Sequence, residues 1–263
     1  MLPLTDMPER VRRRLRGVFT DIDDTLTTEG RITADAYGAL ERLHDAGLRV
    51  IAVTGRPAGW CDHIARMWPV DAVVGENGAL YMLYDHGARS LRMRSGAGEE
   101  PNARQRRLAS IGERILQAVP GAALASDQPY RLSDLAIDYC EDVPRLSAQA
   151  VARIVGLMQA EGMTAKVSSI HVNGWFGAYD KLGMTRTLMR ERFDTDLDLL
   201  RDEFLFIGDS PNDAPMFAYF PVAVGVANVR DYGTTIAPLP AYATVNRSGA
   251  GFVEMTDFLL AGR

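Results

Sequence analysis

Short apolar runs separated by amphipathic stretches set the strongest limit on how this chain folds, and they fill its first 75 residues. Gly17-Val18-Phe19-Thr20-Asp21 reads as a buried strand. Thr33 is placed to cap a helix whose Ala36, Leu40 and Leu43 keep helical spacing and which stops at Gly47. Leu48 to Val53 is a second strand, Pro57 opens a helix reaching Met67, and Val70 to Val74 is a third strand. Strand and helix alternating in this way predict a parallel sheet with helices on its faces.

The rhythm breaks at Ala79. A hairpin follows, Ala79 to Tyr84 and Arg89 to Arg94 about an Asp85-His86-Gly87 turn, then a Gly-rich polar loop from Ser95 to Asn102. A helix over Arg104 to Val119, a strand over Leu135 to Tyr139, a helix from the Ser147 cap to Gly162 and a strand from Met163 to Ser169 mix as in an α+β unit. At Lys181 the first rhythm resumes, with a helix to Phe193, a strand ending at Ile207, a helix over Asn212 to Phe220, a strand over Val222 to Val226, a short strand near Tyr242 to Val245 and a tail helix. The expected fold class is therefore α/β: a doubly wound, Rossmann-like parallel-sheet core from residues 1–78 and 179–263, with an α+β domain inserted at 79–178.

Composition narrows the partners. The 263 residues carry 29 Lys and Arg against 34 Asp and Glu, a net charge of −5, and 47% are hydrophobic. That balance excludes a disordered regulator and a rod, and it argues against a nucleic-acid partner, whose phosphates demand a basic face. No apolar run approaches the ~18 residues that span a bilayer, so no membrane partner is expected. The basic stretch Arg10 to Arg16 is followed by no apolar segment of a secretory signal and reads as a solvated lead-in to the first strand. Cys61 and Cys140, far apart, suggest neither a zinc site nor a disulfide framework, which points to a reducing, cytoplasmic compartment.

Two strands end in carboxylate clusters, Asp21-Ile22-Asp23-Asp24-Thr25 and Gly208-Asp209-Ser210-Pro211-Asn212-Asp213. In an open parallel sheet, ligands bind beyond the carboxyl ends of the strands where strand order reverses. Acids gathered there repel one another unless a cation joins them, and hard oxygen donors without Cys or His favour Mg²⁺. The second strand ends at Thr54-Gly55-Arg56, and Lys181 stands where the core resumes. Singly, each has an ordinary structural reading: a turn or cap for the acids, a strand-to-helix turn for Thr54, a solvated charge for Lys181.

Together, Asp21-x-Asp23-x-Thr25, Thr54, Lys181 and Gly208-Asp209-x-x-Asn212-Asp213 resemble the motif set of the haloacid dehalogenase superfamily of phosphohydrolases. The insert between the Thr and Lys motifs is similar to the C2-cap arrangement, and Gly75-Glu76-Asn77-Gly78-Ala79 to the IIB branch of Cof-type, sucrose-phosphate and mannosyl-3-phosphoglycerate phosphatases. Many members of that branch have Gly where this chain has Asp24. The resemblance implies Asp21 as nucleophile, Asp23 as acid and base, Thr54 and Lys181 holding phosphoryl oxygens, and Mg²⁺ held by Asp21, the Asp23 carbonyl and Asp209, with Asn212 and Asp213 completing its surroundings. Gly55, Arg56 and Asn77 at the core edge, with Arg131, Asp134, His171 and Asn173 of the insert, are the candidate substrate contacts.

A Mg²⁺-dependent phosphatase acting on a small phosphomonoester such as a sugar phosphate is the first expectation, in a monomer or homodimer. The alternative is a phosphotransferase or mutase of the same superfamily, since phosphomannomutases share the cap class and nucleophile. A non-catalytic sugar-phosphate-binding protein would have no need of the nucleophile.

Overall fold

The structure, a computed structural model, describes residues 1–96 and 101–261. The N-terminal segment forms β1 (Leu2–Pro3) and α1 (Glu9–Arg14) ahead of the first buried strand, β2 (Gly17–Thr20). A small ribbon of β3 (Thr27–Thr28) and β4 (Arg31–Ile32) leads into α2 (Ala34–Asp45), β5 (Arg49–Val53), α3 (Ala58–Met67) and β6 (Ala72–Gly75). Then come the hairpin strands β7 (Leu80–Asp85) and β8 (Ser90–Ser95). The inserted segment gives α4 (Pro101–Ala118), β9 (Ala123–Leu124), β10 (Asp134–Asp138), α5 (Ala148–Ala160), β11 (Thr164–Val167) and β12 (His171–Trp175). The chain closes with α6 (Lys181–Phe193), α7 (Leu197–Leu200), β13 (Phe204–Gly208), α8 (Ala214–Tyr219), β14 (Val222–Gly225), β15 (Tyr242–Ala243) and α9 (Ser248–Leu260).

The main sheet runs β1-β15-β14-β13-β2-β5-β6-β7-β8. Every neighbour from β1 to β6 is parallel, and β7 and β8 add antiparallel. Strand alternation sends Val18, Val50 and Leu205 to one face, against Leu40 and Leu43 of α2 and Phe252 of α9. Phe19, Ile51 and Phe206 go to the other, against Leu188 of α6 and Phe217 of α8. Strands buried on both faces explain why these segments read as unbroken apolar runs.

Two segments differ from the sequence reading. The hairpin assigned to the insert extends the core sheet instead, because Met82 and Tyr81 pair with Val73 and Val74 of β6 and Tyr81 joins the core. The arginines of the N-terminal segment are exposed as expected at 10, 13, 14 and 16, but the segment is not loose: Leu4, Met7 and Leu15 are buried in the core, and β1 pairs with β15. Of the loop expected over Ser95–Asn102, Ser95 ends a strand and Pro101 starts a helix, while 97–100 lie outside the described residues.

The insert's own sheet is antiparallel, β11-β12-β10-β9. Leu135, Ile137 and Val172 pack against Ile111 and Ile115 of α4 and Ile154 and Met158 of α5. Alternation therefore leaves Asp134, Asp138, His171 and Asn173 on the opposite face of this sheet. Among the described residues, no helix is long and apolar enough to cross a membrane.

Candidate active site

Strand order brings the carboxylates together. From β2 the chain moves to β5 and β6 on one side, and it returns to β13 and β14 on the other, so β2 lies at the switch point. Thr20 is level with Ile207 on β13 and with Ala52 on β5. One residue further, the Asp21 amide donates to the Ile207 carbonyl at 2.9 Å and continues the ladder. Asp21, Asp209 and Thr54 thus leave three adjacent strands at the same edge.

Lys181 enters from the first turn of α6, whose cap, Asp180, accepts the Gly183 amide at 2.7 Å. Its Nζ donates to Asp21 Oδ1 and to Asp213 Oδ1, both at 2.7 Å. The other Asp213 oxygen accepts the amides of Asp209 and Ser210 at 3.1 and 3.3 Å. Asp209 is held more loosely, by the Thr25 hydroxyl at 3.3 Å and Asn228 Nδ2 at 3.4 Å. One carboxylate oxygen each from Asp21, Asp209 and Asp213 lies within 4.8 Å of the others, and all three residues are buried.

Three buried carboxylates share one ammonium. Burial drives the Asp21 carboxyl up; Lys181 opposes this, Asp213 and Asp23 add to it, and it reaches about 8. Asp209 is pushed well above the ordinary range by burial and then by Asp21 and Asp213. A divalent cation with oxygen preference fits this donor set and supplies the missing charge. Asp213 is tied by the 2.7 Å Lys181 contact and by two backbone amides. Among the described residues Asp21 accepts through one oxygen only, and the two contacts of Asp209 are long, so Asp21 and Asp209 are the side chains freer to turn to such an ion, and Asp213 fixes Lys181 behind them.

Asp23, beside this cluster, is hydrogen-bonded to Arg56. Arg56 Nε donates to both of its oxygens at 2.9 and 3.0 Å, and Arg56 Nη2 to Oδ1 at 2.8 Å. Thr54 is fully buried, its hydroxyl oxygen accepting the Arg56 amide at 3.0 Å. Asn77 Oδ1 accepts from Asn212 Nδ2 at 3.5 Å, while the buried Asn77 Nδ2 has no partner among the described residues. A narrow cavity joins core and insert, with Asp21, Asp23 and Asn212 on one wall and Ser169, His171 and Asn173 on the other.

Arg131 and Asp134, expected to reach this cleft, lie behind its wall. Arg131 donates to both Asp134 oxygens at 3.1 and 3.2 Å, to Asp127 at 3.0 and 3.2 Å, and to the Gly55 carbonyl at 2.8 Å. Asp134 also accepts from Asn173 Nδ2 at 3.0 Å. A guanidinium this deep demands paired carboxylates, and Asp127 and Asp134, with the Gly55 carbonyl, are its acceptors. The pair therefore shapes the cleft through Asn173 and Gly55.

Sequence reading gave Glu76 a place in a motif but no role of its own. Its Oε1 accepts the amides of Ala58 and Leu132 at 2.9 and 2.8 Å, and its Oε2 that of Ser133 at 2.7 Å, so one buried core carboxylate holds the insert's 132–133 backbone. Burial and then Asp134 lift this carboxyl to about 7, against the amide donors that favour its charged form. An acid directly after the apolar run of β6 was the available signal. Asp24 has φ of 55°, the left-handed region, which Asp enters more readily than most residues and Gly most freely.

Residues 18–95 match the family described as haloacid dehalogenase-like hydrolase. Among curated proteins, a phosphoglycolate phosphatase of Methanospirillum hungatei is 28% identical over 244 residues, covering 92% of this chain and 95% of its own. Among solved structures, a Thermoplasma acidophilum protein aligns with a TM-score of 0.70 at 18% identity, over 93% of this chain and 98% of that one. A sugar phosphatase of haloacid dehalogenase subclass IIB aligns with a TM-score of 0.60 at 13% identity, over 92% and 98%.

Proposed function

We propose that this chain, a haloacid dehalogenase-like hydrolase by its family match, its fold and its motifs, is a Mg²⁺-dependent phosphatase that transfers the phosphoryl group of a small phosphomonoester to Asp21 and then to water. The observation that carries the reading is the Asp21–Lys181–Asp213 chain of 2.7 Å contacts beside Asp209 at the switch point of the sheet. An Asp21 oxygen attacks phosphorus, the ester P–O bond breaks, and Asp23 gives its proton to the departing alkoxide. Asp23 then takes a proton from the water that attacks the aspartyl-phosphate, and phosphate and free Asp21 are regenerated. Lys181 orients Asp21 and faces the phosphoryl charge. Mg²⁺, held by Asp21, Asp209 and the Asp23 carbonyl, would supply further positive charge to the phosphoryl oxygens.

A sugar or polyol ester is the substrate class we favour. Ser169, His171 and Asn173 line the cavity with polar side chains that suit hydroxyl groups. The subclass IIB neighbour is named a sugar phosphatase; the phosphoglycolate phosphatase relative makes phosphoglycolate the first competitor to assay. Phosphate release from a panel of phosphomonoesters tests the reading. Asp21→Asn is expected to lower kcat at least about a thousandfold with the fold intact. Chelation is expected to remove activity and Mg²⁺ to restore it. Retained turnover in Asp21→Asn, with no phosphorylated protein trapped from the wild type, contradicts the covalent route.

A further inference from the structure

We infer that Glu141 is a positioning residue: from the inserted domain it holds the Arg56 guanidinium against Asp23, so that the acid–base carboxyl is aimed only when the insert sits on the core. The inference rests on the phosphatase reading above.

Arg56 carries five N–H groups in a rigid fork. Asp23 occupies the Nε edge, as described above. Glu141 takes the opposite edge, Oε1 accepting from Nη2 at 2.6 Å and Oε2 lying 3.4 Å from Nη1. Asp127, also of the insert, accepts from Nη1 at 3.3 Å, and the Trp60 ring lies 4.3 Å beneath the guanidinium. Among the described residues, every hydrogen bond to the Asp23 carboxylate comes from Arg56. The aim of Asp23 thus depends on Arg56, and Glu141 makes the shortest contact that Arg56 has with the insert.

Glu141 is itself fixed at both ends. Asp138, closing β10, accepts the amides of Cys140, Glu141 and Asp142 at 2.8, 2.7 and 2.8 Å, which sets the turn. Glu141 Oε2 lies 2.8 Å from His171 Nε2 of β12, off the line of a hydrogen bond but within ion-pair range. Asp23, Arg56 and Glu141 together line a cavity of about 310 Å³, which gives a leaving alcohol room beside the acid. A proton donor displaced by an ångström loses much of its effect, so a residue that sets its direction sets the rate of bond breaking.

The test is kcat/KM on aryl phosphates of one shape and graded phenol acidity, because the less acidic the leaving phenol, the more it depends on proton donation. Glu141→Gln is expected to steepen this dependence: the loss is smallest on p-nitrophenyl phosphate and about tenfold or more on phenyl phosphate. Glu141→Ala, which also removes the acceptor, is expected to lose more. An unchanged series, an equal loss on every ester, or a loss confined to KM overturns the inference, since these mark no role, damage to the fold and substrate contact respectively. A second readout needs no turnover. Glu141→Ala is expected to change the tryptophan emission, and the change is expected to vanish when Trp60 is also replaced by Phe; constant emission overturns the inference by showing that Arg56 keeps its place without Glu141. Wild-type protein that hydrolyses no ester overturns the phosphatase reading and this role with it, while the emission still reports whether Glu141 fixes Arg56.

Discussion

Gly78 decides where Lys181 stands. Its φ of 104° lies in a region L side chains rarely adopt, and a Cβ there would meet the Asp180 carbonyl oxygen at 1.9 Å and the Lys181 amide nitrogen at 2.8 Å. Those atoms are backbone at the start of α6 and have no side-chain freedom to give way. Gly78→Ala is expected to cost about 2–4 kcal/mol and to displace Lys181 from Asp21. The urea midpoint of unfolding and kcat measured together check this; a variant with wild-type values of both contradicts it. At this scale the sequence was informative where a residue's place follows from a strand end: Asp21, Thr54 and Asp209 each stand within two residues of the end of an apolar run. It was silent where a place depends on a distant partner. Nothing local marks Glu141 or Asp127 as a neighbour of Arg56, 85 and 71 residues away.

The elements tell the same story with a different cause. Both expected helix caps form as read, Thr33 accepting the Ala36 amide and Ser147 the Ala150 amide at 3.2 Å each, because capping is settled within four residues. The β7–β8 hairpin was legible as a hairpin but not as part of the core sheet, since alternation fixes a strand's faces and not its neighbour. How the insert is fastened was not legible either. The link runs from Glu76, in a turn where Glu76 and Asn77 both have positive φ, to the backbone of Leu132 and Ser133. Glu76→Gln keeps the shape but sets an amide N–H against a backbone N–H, leaving at least one buried donor unpaired. A loss of about 1–3 kcal/mol is expected, with faster hydrogen exchange at the amides of Ala58, Leu132 and Ser133. Unchanged exchange at those three amides would show that other contacts fasten the insert.

Over the whole molecule, two of the contacts that join insert and core respond differently to acid. The Glu76 link uses backbone donors on a buried carboxylate, whereas Arg56 bridges Asp23 of the core to Asp127 and Glu141 of the insert, with His171 Nε2 beside Glu141. Burial raises the Glu141 carboxyl, but His171 and Arg56 together outweigh it and hold the group down to about 2, below its ordinary 4.5. A carboxyl depressed in the closed form binds its proton less readily there than when released, so closure gains from it above about pH 4.5 and loses that gain as pH falls toward 2. Glu141 is partly solvent-exposed, so the effect is one of direction, and salt screening weakens it. The expected outcome is a radius of gyration, measured by small-angle scattering, that rises as pH falls from about 4.5 toward about 2 while far-ultraviolet circular dichroism stays constant. In Glu141→Gln, which has no proton to gain at this position, the rise should be smaller and begin from a more open state. A wild-type radius that does not change across that window, or a variant that follows the wild type throughout, would place the acid-sensitive contact elsewhere.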